Sequence, residues 1–150
     1  MSRQGMVIAK QYSKSLPRFD NLLAAEKALF SERDITLSAF VQEFGTVLNL
    51  DYSLESLNNI EKWFIESGRP VEGDKGYSIP HGIGFYFGEV LCRKDNFNWV
   101  VAAYAFEPGC YEIGINRNLL TINLTKGMEP ETRNNKRMQS LSRKAKSYMF

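Results

Sequence analysis

One histidine, two cysteines and a spread of carboxylates are the residue types here that could do chemistry. His81 stands in Pro80-His81-Gly82, just ahead of an apolar stretch that reads as helix. A histidine at a helix start can act as a general base or stabilise an anion. Cys92 and Cys110 are candidate nucleophiles. Cys92 lies eleven residues after His81 on the same expected helix, about 16 Å away at 1.5 Å per residue. That separation excludes a Cys92–His81 dyad on an intact helix and leaves Cys110 open. Glu89 follows Gly88 among apolar neighbours. Buried, it would need a partner and its pKa would move. Arg93, four residues on, supplies an ordinary helical ion pair. His81 and Glu89 together define the enzyme alternative, a site at the mouth of this helix.

Neither cysteine sits in a CxxC pair, and no Cys/His set offers four ligands. Two buried free thiols are therefore expected, with no metal and no cofactor. A second group of carboxylates runs through Asp51, Glu55, Glu61, Glu66, Glu72 and Asp74, against Lys62 and Arg69. Their spacing fits no EF-hand. They read either as a solvated helix face or as an acidic docking surface for a basic partner, where charge speeds association. At the other end, Arg133, Lys136, Arg137, Arg143, Lys144 and Lys146 surround an apolar stripe of Met138, Leu141, Ala145 and Tyr148. Such a helix either docks its apolar face on the body or meets nucleic acid or a membrane surface. Docking is the reading favoured, because Tyr148, Met149 and Phe150 give the end an apolar load. RNA recognition would need aromatics interleaved with the basic residues, and no RNP-like or GXXG segment is present.

The elements that must position these groups follow from period and punctuation. The chain of 150 residues reads as one α+β domain over 1–150, with 1–19 as a flexible arm and 130–150 as a basic helix. Its net charge of +2 hides an asymmetry. Residues 1–125 carry 12 basic and 15 acidic side chains; residues 126–150 carry 7 and 2. Met6 to Tyr12 reads as a short strand or an ordered arm. Asp20 caps a short helix through Phe30, and Ser31 starts another, with Glu32 and Asp34 in its first turn. Ser53 caps a third helix, whose stripe is Leu54, Leu57, Ile60, Trp63 and Phe64, with Gly68 at its end. Arg69 to Tyr77 is a loop.

Pro80 suits the first turn of the central helix. Gly84 and Gly88 lie four apart within it, each costing about 1 kcal/mol against alanine. Another element crossing closely there is the expected reason. Trp99 to Phe106 then reads as a largely buried strand. Glu107-Pro108-Gly109 turns, Cys110 to Asn116 is a second strand, and Leu119 to Leu124 a third after a turn at Asn116-Arg117-Asn118. Helices, then an antiparallel three-stranded meander, then one helix argue for helices packed on a small sheet. The N-terminus shows no leader-like apolar region, and no apolar run is long enough to span a bilayer. The cytoplasm is the expected compartment.

Two segments also carry a resemblance. Leu50-Asp51-Tyr52-Ser53-Leu54-Glu55-Ser56-Leu57, with Trp63 downstream, resembles the LD-x-S-x-x-SL helix entry of small uncharacterised bacterial domains. Gly84-Phe85-Tyr86-Phe87-Gly88-Glu89-Val90-Leu91, followed by Arg93 and Trp99, is similar to their G-x-Y-x-G-E-V-x-x-R…W segment. The resemblance implies that Gly84, Gly88 and Glu89 are a structural signature. It also implies a role like that of immunity-type proteins, which bind and neutralise a toxin. The expectation is thus a cytosolic protein-binding module with a protein partner, using the Asp51–Asp74 carboxylates. The alternatives are the His81–Glu89 enzyme and a nucleic-acid binder using the basic C-terminal helix.

Overall fold

The computed structural model describes residues 2–130 and 140–149. Five helices and three strands follow in the order α1 (Arg3–Ser13), α2 (Leu22–Phe44), α3 (Leu54–Glu66), α4 (Ile79–Asp95), β1 (Asn98–Ala103), β2 (Tyr111–Arg117), β3 (Leu120–Asn123) and α5 (Leu141–Tyr148). The strands form an antiparallel meander with β2 in the centre. The fold is α+β, as the order of segments implied. Arg133, Lys136, Arg137 and Met138 lie outside the described residues.

α4 is the axis of the packing. Ser78 caps it, its side chain accepting from the His81 N–H, and Pro80 falls in the first turn, where a missing N–H leaves nothing unpaired. Gly82 through Gly88 are all buried, as are Val90 and Leu91. A helix apolar on all sides belongs in the middle of a core. It contacts α2, α3, α5, β1 and β2. Gly84 and Gly88, two of its three glycines, mark where the turn after β3 and strand β1 come close. A Cβ on Gly84 would sit 2.9 Å from the Gly127 Cα, and one on Gly88 would sit 2.6 Å from Trp99 Cη2. The Met128 N–H donates to the Pro80 carbonyl at 2.8 Å, which ties the turn after β3 to the start of α4. Gly127 has φ +72° and lies against Pro80, so it must be glycine on both counts.

Three local expectations change. Met6–Tyr12 is not a strand; it is ordered as helix inside α1, which Ser2 caps by accepting from the Gly5 N–H. Its buried Ala9 and Ser13 lie four apart on one helical face. Asp20 and Ser31 do not start two helices. Asn21 caps one 23-residue helix, its side chain accepting from the Ala24 N–H. Buried Ala25, Leu29, Thr36, Phe40 and Phe44 fall on one stripe, and the gap between Leu29 and Thr36 is bridged by Arg33. The Arg33 guanidinium lies 5.1 Å from the Trp99 ring and 4.8 Å from that of Phe30, so a charged residue holds an apolar position by cation–π contact. Finally, β1 is an edge strand with exposed ends rather than a largely buried one.

Ser53, by contrast, caps α3 as read, and Gly68 (φ +79°) follows the helix. α5 docks: Leu141 and Ala145 are buried and Tyr148 and Met149 pack on the main core.

Because the atoms facing Gly84 are backbone, they cannot swing aside. Overpacking costs about 1–3 kcal/mol, more than the roughly 1 kcal/mol of helix propensity gained. Gly84→Ala is therefore expected to lower the urea midpoint at unchanged m-value; an unchanged or raised midpoint would show that the Gly84–Gly127 approach is not tight.

Candidate functional site

Tyr86 joins two parts of the chain. It is fully buried, and burial pushes its phenol up from the ordinary value. Its hydroxyl accepts from the Tyr52 N–H at 2.8 Å and lies 2.6 Å from Ser56 Oγ. The Tyr52 ring stacks on it at 5.0 Å. Tyr52 itself is held at φ +63°, and the Arg93 guanidinium sits 3.5 Å over the Tyr52 ring. Glu89 accepts from Arg93 Nε at 3.2 Å and from Trp99 Nε1 at 3.0 Å. Glu89 is thus a structural acceptor holding β1 to α4, and its carboxylate pairs with Arg93 as the spacing implied.

His81 is also drawn into the frame. Nε2 lies 3.0 Å from the Thr125 carbonyl. A carbonyl only accepts, so Nε2 carries the hydrogen. Nδ1 lies 2.8 Å from Ser78 Oγ, its own helix cap. The ring lines a cavity of about 280 Å³ with Ser15, Glu32, Phe85 and Thr125. Glu89 is not among the residues of that cavity; eight residues of helix, about 12 Å, separate the two. The structure does not bring His81 and Glu89 to one site.

Both thiols are free. Cys110 is buried and its Sγ lies 3.5 Å from the Ser13 carbonyl. Burial, reinforced by the nearby Glu89 charge, pushes the Cys92 thiol up to about 12. Among the described residues no group of three His, Cys, Asp or Glu is placed to hold a metal ion. No helix there is long and apolar enough to cross a membrane.

The Asp51–Asp74 carboxylates divide into three settings. Asp51 accepts from the Ser53 N–H at 3.0 Å, and its bonds to Ser53 hold it below the ordinary range. It shapes the entry to α3, where Glu55 follows in the first turn. Glu61 faces α5: burial raises its pKa, while the Leu141 N–H bonded to it works the other way. Beside it Ser142 Oγ donates to Asn58 Oδ1 at 2.7 Å. Glu61 therefore meets the first N–H of α5, and burial outweighs that bond in its effect on the carboxyl. Glu66, Glu72 and Asp74 are exposed.

The loop bearing Glu72 and Asp74 is laid on the end of α2. The Asp74 N–H and Tyr77 Oη both donate to Glu43 Oε1, at 2.9 and 2.6 Å. Desolvation opposes ionisation there, yet these bonds hold the Glu43 carboxyl below its ordinary range. Lys75 reaches Gln42 at 2.7 Å.

The sequence reading missed the apolar part of this corner. Past the end of α2, Val47 is 77% exposed. It borders a groove of about 370 Å³ with Asn59, Lys62, Trp63 and Glu66. Trp63 is fixed by the Phe44 ring at 4.3 Å. The available signal was Val47 itself, which falls outside the Phe40–Phe44–Leu48 stripe. On α5, Arg143 and Lys146 are exposed, while Lys144 is partly covered.

Two expectations follow from these environments. The thiolate is the reactive form, so Cys92 should react with a disulfide reagent near neutral pH at least about tenfold more slowly than free cysteine; a rate equal to free cysteine would contradict its covered, anionic setting. For Glu61 the folded state holds the proton more tightly than the unfolded one. Its contribution to stability is thus greatest in acid and declines as pH rises above the ordinary glutamate range. Glu61→Gln keeps an acceptor for Leu141 and removes the charge. Urea titrations between about pH 4 and pH 7 should show the variant losing less stability over that interval than the parent.

Comparison with known proteins bears on the whole frame. A family model described as Uncharacterised protein YwmA matches residues 18–149. A Bacillus subtilis (strain 168) protein, named Uncharacterized protein YwmA, is 27% identical over 122 residues, which cover 73% of each chain. No solved structure matches.

Proposed function

The chain belongs to the family of Uncharacterised protein YwmA, and for this member of it we propose the role of a non-catalytic, cytosolic protein-binding module acting as a single domain. Its most specific form is an immunity-type inhibitor that occupies a bacterial toxin. The observation that carries the reading is the corner where Val47, 77% exposed, opens a groove walled by Trp63 and edged by Glu66. Tryptophan is among the residues enriched at interface anchors, and exposed Val47 adds apolar area beside it.

The carboxylates supply the rest. Glu66 edges the groove, and Glu72 and Asp74 stand on the loop packed against the same end of α2. The partner this suits presents an apolar side chain flanked by Lys or Arg. Charges at such a rim chiefly raise the association rate and select against acidic partners. Asp51 and Glu55 belong with the α3 entry, and Glu61 with α5, so the proposed contact centres on Glu66, Glu72 and Asp74.

The enzyme alternative finds less support. His81 has both ring nitrogens engaged, with Thr125 and Ser78, and Glu89 serves Trp99 and Arg93. The nucleic-acid alternative rests on Arg143, Lys144 and Lys146 around a helix whose apolar face is already used.

The test is capture of the partner from native-host lysate after nuclease treatment, followed by titration of that partner against variants. Val47→Asp should weaken binding, and Glu66→Lys with Glu72→Lys should slow association by about tenfold with a flatter salt dependence. His81→Ala should leave binding unaltered. Equal binding by all of these variants would remove the corner from the function; loss only in His81→Ala would move it to the His81 cavity.

A further inference from the structure

β1 ends the sheet with a free edge, and the bonding pattern shows which groups line it. The Tyr104 N–H donates to the Cys110 carbonyl at 2.8 Å, in line with the β1–β2 register of Ala103↔Tyr111 and Ala102↔Glu112. Antiparallel pairs alternate between hydrogen-bonded and non-hydrogen-bonded. Ala102, Val100 and Asn98 therefore aim their backbone groups at β2. Trp99, Val101 and Ala103 aim theirs outward. No described segment pairs with that edge.

Folded proteins usually protect such edges with charge, proline, a bulge or short length. Asn98-Trp99-Val100-Val101-Ala102-Ala103 has six residues, none charged and none proline, in unbroken register. The opposite edge differs: β3 has four residues and lines a groove whose other wall includes Met128 and Tyr148.

We propose that β1 pairs with β1 of a second copy of this chain, antiparallel about a two-fold axis at Val101, so that the two sheets run on as one. Two features select a second copy. The outward groups are self-complementary: with the axis at Val101, Val101 bonds its own counterpart and Trp99 meets Ala103 of the other copy. These are the residues whose N–H and C=O are free. The side chains also match, because the bulky Trp99 falls opposite the small Ala103, and Val100 opposite Ala102. The flanks permit it: this register sets Asp95 of each copy opposite Glu107 of the other, and each of these acids is already paired, Asp95 with Arg117 and Glu107 with Arg18. Phe106, 40% exposed just past the strand, gains cover in the same arrangement.

The experiment is sedimentation equilibrium of the full chain over a wide concentration range, with Ala103→Pro in parallel. The Ala103 N–H points away from β2, so proline there leaves the β1–β2 ladder intact and blocks only the free edge. The parent should dimerise, and the variant should keep its circular dichroism and dissociate at least about tenfold more readily. A parent that stays monomeric throughout overturns the proposal, as does a folded Ala103→Pro that dimerises like the parent. Should Ala103→Pro fail to fold, register decides. In this pairing Val100 faces Ala102 of the other copy as a close, non-hydrogen-bonded pair. Mixed Val100→Cys and Ala102→Cys chains, made with Cys92→Ser, should then form the mixed disulfide in excess of either homodimer. No excess overturns it.

Discussion

The approach of Trp99 and Leu124 to Gly88 is the constraint on which the rest of this fold depends. A side chain at Gly88 would collide with both. With none there, β1 lies close enough for Trp99 Nε1 to reach Glu89, the next residue of α4. Glu89 in turn holds Arg93, Arg93 covers Tyr52, and Tyr52 stacks on Tyr86, one turn earlier on α4. One missing Cβ thus lets a chain of contacts run from the sheet edge through the central helix to the entry of α3. The network runs from fully buried Tyr86 out to exposed Arg93, and its buried members are strong only when satisfied. Among the described residues no buried side-chain N or O lacks a partner.

That network explains why the residues best suited to chemistry are employed as structure. His81 spans the α4 cap and the Thr125 carbonyl. The Cys92 thiol is covered and faces an acid. Seen in sequence, Glu89 and His81 are simply the polar residues of an apolar helix, and polarity in a core invites a functional reading. In the structure His81 bonds the Thr125 carbonyl and the Ser78 hydroxyl while its ring lines a cavity, and Glu89 bonds the Trp99 indole and the Arg93 guanidinium.

The fold was legible where local chemistry agrees with packing. Ser53, Pro80 and Gly68 mark helix ends by rules that need no tertiary contact. Gly84 and Gly88 announced a close crossing, though not which elements cross. Illegible features depend on a distant partner. Ser31 reads as the start of a second helix until Trp99, far along the chain, is placed near the Arg33 guanidinium. Val7 and Ile8 suggest a strand, yet both face solvent while Ala9 and Ser13 make the helix contact. The carboxylates of 51–74 looked alike for the same reason. Only placement of α5 shows that Glu61 serves Leu141, and only the folding of the 69–77 loop onto Glu43 brings Glu72 and Asp74 to the end of α2.

β1 shows how a shared composition can carry two meanings. Trp99-Val100-Val101-Ala102-Ala103 is apolar enough to be covered on both faces, and in sequence it reads as a largely buried strand. The meander nevertheless puts β2 in the middle, because β2 alone has neighbours on both sides in chain order. One face of β1 is satisfied by α2 through Trp99 and Val101, which accounts for half of its apolar pattern. Its other half, Val100 with exposed Ala102, and the outward backbone groups of Trp99, Val101 and Ala103 have no strand partner among the described residues. An edge this long and neutral is stable against non-specific pairing only if something specific covers it. The strand's composition is therefore closer to that of an interior strand than to that of a protected edge, which is what the proposed continuation of the sheet into a second copy accounts for.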